Sequence, residues 1–194
     1  MEKIQKIKKG FIGGILLLSF LVSNSALAAT LSFTPAVGTY EKEATFSVGV
    51  YVGSLDKSMN AASGTVTFPT DKLQVVSVSK NNSIIDFWAQ EPNFSNTAGT
   101  IKFEGVALPP GYQGGNGRII TITFKGKAIG VADVKMTGGQ VLANDGVGTS
   151  ILATVTGATF TIKAATAPLP EVIDLDEETP IEESEPIIEP EIAC

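Results

Sequence analysis

The chain has 194 residues, 43% of them hydrophobic and 18% charged, with one cysteine, no histidine and a formal charge of −6. That length holds one domain and scarcely two, and the missing imidazole excludes ordinary Ser-His or Cys-His triads and ordinary zinc sites. Residues 30–165 carry ten basic and nine acidic groups, while residues 166–194 carry ten acidic groups and no basic one. No concentrated cationic face exists to release phosphate counterions, which excludes nucleic acid as a partner.

From the N-terminus, Lys3, Lys6, Lys8 and Lys9 precede an apolar run from Phe11 to Val22, followed by Ser23-Asn24-Ser25 and Ala26-Leu27-Ala28. This order predicts a secretory signal peptide over residues 1–28, cleaved after Ala28 or Ala29. The run is 12 residues, short of the roughly 20 that span a bilayer as a helix. No cysteine follows it to take a lipid anchor. The mature protein is therefore expected outside the cytoplasm, secreted or associated with the cell surface. Disulfides are permitted there, yet the only cysteine is Cys194, so the fold must stand on its core. Cys194 either pairs between molecules or marks a truncation, and the domain is expected to be a monomer.

Residues 30–165 read as short segments of alternating polarity separated by Gly, Pro, Asn and Asp, which is strand, turn, strand. Ala44, Phe46, Val48, Val50 and Val52 alternate with Thr45, Ser47, Gly49 and Tyr51. Ile120, Ile122 and Phe124 alternate with Thr121, Thr123 and Lys125, and Ala158, Phe160 and Ile162 alternate with Thr159, Thr161 and Lys163. Further strands are predicted at 30–33, 64–68, 73–79, 84–89, 100–107, 132–137 and 140–142. Branched residues crowd these segments, as a pleated surface favours. No amphipathic helical spacing follows the signal segment. The prediction is an all-β, two-sheet jelly-roll sandwich of about nine strands, with a closed barrel as the alternative and a bulge or bend near Gly126.

After Lys163 the composition shifts to Pro, Glu, Asp and Ile, with five of the ten prolines between Pro168 and Pro190. Like charges repel and proline donates no amide hydrogen, so residues 166–194 are expected to be a disordered linker or stalk holding the domain off a surface.

The order of segments resembles the cohesin family and its related carbohydrate-binding sandwiches. Three stretches carry the resemblance: Ala44–Val52 leading to Asn60–Phe68 and then Pro69–Val78; Thr100–Val106 with the Gly-rich loop and Gly117–Lys125; and Val141–Gly146. The resemblance implies a non-catalytic receptor, without cofactor or metal of its own, whose sheet face binds a dockerin, a small calcium-loaded helical module, in polysaccharide-degrading or surface assemblies. It also implies an Asn and an Asp that hydrogen-bond the dockerin, at positions held here by Ala61 and Ser63. An alanine accepts no side-chain bond, so this face must use other chemistry or take another partner.

Two site readings follow. A protein partner would meet an exposed polar set of Ser63, Thr65, Thr67, Lys102, Glu104, Thr121 and Thr123. A polysaccharide would instead stack on Trp88 and Tyr112, with Gln90 and Glu91 taking hydroxyls. Trp88 and Phe87 are adjacent and so on opposite faces of a regular strand: one fills the core, the other points outward. The loop Leu108–Gly117 is read as a connector, and Asn81-Asn82-Ser83 and Asn144-Asp145-Gly146 as turns; one carboxylate is far short of the oxygens that calcium requires. A purely structural surface or adhesion domain is the third possibility.

Overall fold

A computed structural model describes residues 29–166; the signal segment, nearly all of the acidic segment and Cys194 lie outside them. The strands are β1 (Ala29–Thr34), β2 (Val37–Glu41), β3 (Thr45–Thr67), β4 (Leu73–Ser79), β5 (Phe87–Ser95), β6 (Thr100–Val106), β7 (Tyr112–Gly126), β8 (Gly130–Ala143), β9 (Leu152–Val155) and β10 (Ala158–Lys163). No helix occurs among the described residues.

The strands form one curled sheet of ten, folded into two layers by β3. The first half of β3 pairs with β1 and β7, giving a layer in the order β4-β7-β3-β1-β9. Its second half pairs with β6 and β8, giving a layer in the order β5-β6-β3-β8-β10-β2. Between the halves Leu55–Ser58 leave the ladder with β7, and pairing resumes at Met59. The separate strands expected at Ala44–Val52 and Gly64–Phe68 are thus one 23-residue strand. The expected pair at 132–137 and 140–142 likewise merges into β8, and the strand expected at 84–89 is displaced to β5. Strands β2 and β9 are additional to those expected.

Alternation places Val48, Val50 and Val52, then Ala62 and Val66, between the layers. There they join Ile101 and Phe103 of β6, Ile120, Ile122 and Phe124 of β7, and Phe160 and Ile162 of β10. An aromatic group ties the layers at one end: Tyr40 stacks on Phe46 with centroids 3.8 Å apart, and Phe46 lies 5.1 Å from Phe160 and 5.9 Å from Phe124. These stacked and tilted ring contacts add aromatic attraction to plain area burial.

The bulge expected near Gly126 sits elsewhere. Strand β7 ends at Gly126, and the extra residue is Ile119, because Val50 faces Ile120 whereas Tyr51 faces Arg118. The bulge explains why two successive residues, Ile119 and Ile120, are both buried. Asn82 takes the left-handed turn conformation with φ of 57°, in keeping with the turn read at Asn81–Ser83.

Phe124 contacts both Phe46 and Phe68 and is fully buried. Phe124→Ala should destabilise the domain by about 3–5 kcal/mol through lost transfer energy and an unfilled cavity. A lowered urea midpoint with an unchanged slope would show it; a shift below about 1 kcal/mol would contradict this packing.

Candidate partner face and its surroundings

The register across β5, β6, β3 and β8 arranges the outer face of the second layer in rows perpendicular to the strands. At one end Phe87, Val106, Ala61 and Leu142 lie side by side. The next outward row is Gln90, Glu104, Ser63 and Gln140; beyond it come Asn93, Lys102, Thr65 and Thr137, then Ser95, Thr100, Thr67 and Lys135. Neighbouring members of a row stand ~4.8 Å apart and successive outward rows ~7 Å apart. An apolar row therefore borders a field of short polar side chains and opposite charges. Phe87 is 61% exposed, an unusual placement for a large ring.

Small side chains on β3 shape this face. Ala61 puts only a methyl between Val106 and Leu142, leaving a shallow hollow of about 40 Å³ lined by Ala61, Ser63, Glu104, Gln140 and Leu142. A second hollow opens beside it between Thr65, Gln90, Lys102 and Glu104. Among the described residues neither Lys102 nor Glu104 belongs to an ion pair.

Of the polar set read from the sequence, the structure brings together Ser63, Thr65, Thr67, Lys102 and Glu104 on this face. Thr121 and Thr123 are not with them. They pair with Gly49 and Ser47 in the first layer and point out from the opposite side of the molecule. Alternation identifies which residues face out; it does not say out of which layer. Phe87, Val106 and Leu142 were missing from the set, although the Phe87–Trp88 adjacency already required one of that pair to point outward.

The set Trp88, Gln90, Glu91 and Tyr112 is dispersed. Trp88 packs on the inner side over Gly105, where an added Cβ would meet its ring at 3.1 Å. Trp88 and Gln90 would share a side in a regular strand. Here Trp88 faces Gly105 while Gln90 faces Glu104, so the bulge at Ala89 turns Gln90 to the outer face. Glu91 is held by Lys80 at 2.6 Å, and that ammonium lies 6.0 Å from the Trp88 ring centre. Tyr112 is half-buried against the core, and its hydroxyl accepts the Asn116 amide at 3.0 Å.

Asn144-Asp145-Gly146 is a turn clasped to its neighbours. Asp145 Oδ1 accepts the amides of Val147 and Gly148 at 3.2 and 3.1 Å, and Oδ2 accepts Lys57 Nζ at 3.0 Å. Asn144 and Ser58 both donate to the Pro110 carbonyl, at 2.8 and 2.7 Å. Three loops are thereby fastened together beside the apolar row, and Leu108–Pro110 is part of the clasp before β7 begins at Tyr112. Among the described residues no three Asp, Glu, Cys or His side chains gather as a metal set.

No family model matches the chain, and no curated protein matches it. Solved structures do. The seventh ScaB type I cohesin from Pseudobacteroides cellulosolvens superposes with a TM-score of 0.60 at 23% identity, over 73% of this chain and 96% of that one. The fold is that of a cohesin domain. A novel type I cohesin–dockerin complex from Clostridium thermocellum gives a TM-score of 0.60 at 12% identity, over 71% and 95% of the two chains. A non-cellulosomal cohesin from the hyperthermophilic archaeon Archaeoglobus fulgidus gives 0.57 at 19%, over 71% and 92%. The jelly-roll reading of the sequence therefore holds for the described domain.

Hydrogen bonding from Thr149, then the Lys57 ammonium, holds the Asp145 carboxyl well below the usual carboxylate range. A carboxylate depressed on folding stabilises the fold above its unfolded value near 3.8 and loses that contribution as pH falls through the folded value. Asp145→Ala should therefore lower the thermal midpoint at neutral pH, with the gap to the parent protein narrowing as pH falls below about 4. A gap that stays constant down to pH 2 would show that the carboxylate charge is not what fastens the loops.

Proposed function

We propose that the chain is an exported, non-catalytic recognition module that binds a dockerin-like protein with the outer face of β5, β6, β3 and β8. The observation that carries this reading is the apolar row Phe87, Val106, Ala61 and Leu142 beside polar rows containing Glu104 and Lys102. A fully desolvated apolar strip with a polar rim is how protein interfaces gain affinity and orientation. The fold supports it too, since solved proteins of this fold include cohesins in complex with dockerins.

The row spans roughly 14 Å at ~4.8 Å per strand, the length of about ten helical residues. A partner helix laid along it would place apolar side chains one turn apart over successive strands. Ala61 and Ser63 in place of hydrogen-bonding Asn and Asp select a helix that offers a small apolar residue there. Glu104 would take a Lys or Arg on the helix flank.

The surrounding segments complete the proposal: residues 1–28 direct export, and residues 166–194 are a stalk that sets the domain near the cell surface or a polysaccharide-degrading assembly. Ala29 is buried in β1 and its amide donates to the Ile151 carbonyl at 2.7 Å. Cleavage after Ala28 keeps that bond, whereas cleavage after Ala29 removes the first residue of the strand. The intact mass of the exported protein should accordingly correspond to a chain beginning at Ala29; retention of residues 1–28, or a start beyond Thr30, would count against the export scheme.

Titration calorimetry with a panel of calcium-loaded dockerins tests the binding reading. Leu142→Arg or Ser63→Arg should weaken the best binder by about 100-fold, while Thr123→Arg on the opposite layer should leave it within about twofold. Failure of the whole panel, or equal losses from both layers, would remove the proposed face.

A further inference from the structure

Thr121 and Thr123 lie on the outer face of the first layer, which the partner reading leaves unused. That face is mostly hydroxyl-bearing: around its centre stand Ser32, Thr34, Ser47, Thr121, Thr123 and Ser79, brought together by the registers of β1, β3, β7 and β4, with Val76 at the β4 bulge as the exposed aliphatic side chain. One aromatic ring lies among them. Tyr51 is laid flat along its own strand over Gly49, where an added Cβ would come within 2.4 Å of Cε2 and 3.1 Å of Cζ. Only glycine permits this posture, and Gly49 is itself buried although it faces outward.

Arg118, directly across from Tyr51 in the ladder, fixes the ring. Its Nε donates to the Tyr51 hydroxyl at 3.0 Å, and its Cζ stands 5.5 Å from the ring centre. The guanidinium thus sits toward the hydroxyl end of the ring, with Nη1 and Nη2 available to donate. Tyr40 and Tyr112 also lie over glycines two residues away, Gly38 and Gly114, but both pack against the core. Covering a glycine is a sufficient role for those two rings. Tyr51 differs in lying on the outer face with a cation over the hydroxyl end of its ring.

We propose that this face binds a β-linked pyranose polysaccharide, with the Tyr51 ring as stacking platform and Arg118 as hydrogen-bond donor to ring-substituent hydroxyls. A protein partner needs an apolar centre to desolvate, and around the ring there are hydroxyls instead. A pyranose presents a C–H face to an aromatic ring and hydroxyls at its rim. That complementarity matches one ring bordered by a guanidinium and by Thr121, Ser32 and Ser79 hydroxyls. A flat sheet face suits an extended ribbon of sugars better than a compact ligand, which needs a concave site. With one platform residue the affinity is modest, with Kd on the order of 0.1–1 mM.

The test is an NMR amide titration of the exported protein with cellohexaose, xylohexaose and chitohexaose at millimolar concentration, together with retention on insoluble cellulose. Shifts should cluster at Tyr51, Arg118 and Thr121 with at least one of these glycans. Tyr51→Ala should weaken glycan binding about tenfold and Arg118→Met about fivefold, while Ser63→Arg on the other layer should leave glycan binding unchanged. Should Tyr51→Ala fail to fold, Tyr51→Phe and Arg118→Met decide, since Phe keeps the ring and loses only the Arg118 bond: Phe should bind more tightly than Met. Silence of this face with all three hexaoses, shifts confined to β5 and β6, or unchanged binding by folded variants would overturn the proposal. Because dockerin binding is read on the other layer, either site can fail without the other.

Discussion

The passage of β3 through both layers is the constraint on which the rest of the molecule depends. One strand supplies partners to β1, β7, β6 and β8, so its in-out alternation, interrupted only between Leu55 and Asn60, decides what faces the core and what faces solvent on both sides. Val48, Val50, Val52, Ala62 and Val66 point inward, which leaves Ser47, Gly49 and Tyr51 on one surface and Ala61, Ser63, Thr65 and Thr67 on the other. A slip of one residue would exchange inside for outside in both halves. The excursion at Leu55–Ser58 is what lets the strand change layer without such a slip, and Lys57 fastens that excursion to Asp145.

Much of this was legible in the sequence, because a half-buried strand writes its burial directly as alternation. Apart from Ala44, which just precedes β3, the segments Ala44–Val52, Ile120–Lys125 and Ala158–Lys163 lie in strands with the inward faces their patterns imply. Two kinds of feature were not legible. Bulges carry no residue signature of their own: Ile119 reads as one more β-branched residue, and Ala89 gives no warning that Gln90 will part from Trp88. Layer membership is also non-local. Thr121 and Ser63 look alike in their strands, and only the pairing of β7 with the first half of β3 sets them on opposite sides.

The low identities to solved cohesins, between 12% and 23% for the three compared, fit this division of labour. Cores accept many hydrophobic sets provided that volume and pattern persist, so a fold outlasts the residues that build it. Outer faces carry no such restraint. Ala61 and Ser63 can vary without disturbing the interior, because both side chains point away from Phe103 and Met136, which pack beneath Gly64. Fold likeness is therefore strong evidence for the scaffold and much weaker evidence for what each face binds, and the chemistry of each face has to be argued from its own residues.

That chemistry differs sharply between the two surfaces. The outer face of β5, β6, β3 and β8 exposes Phe87 and a continuous apolar row, surface that stays unfavourably hydrated until something covers it, at roughly 25 cal/mol per Å². The face of β4, β7, β3 and β1 carries hydroxyls, one flat ring and a guanidinium, groups that water already solvates well and that reward directional bonding more than area. The two faces stand back to back across a close-packed interior about 10 Å thick, so ligands on them do not collide. They are joined through β3, whose inward residues are locked by packing from both layers, and through the two-residue links from β1 to β2 and from β9 to β10. The two readings proposed for these faces therefore rest on separate surfaces and separate residues, and evidence for one is not evidence for the other.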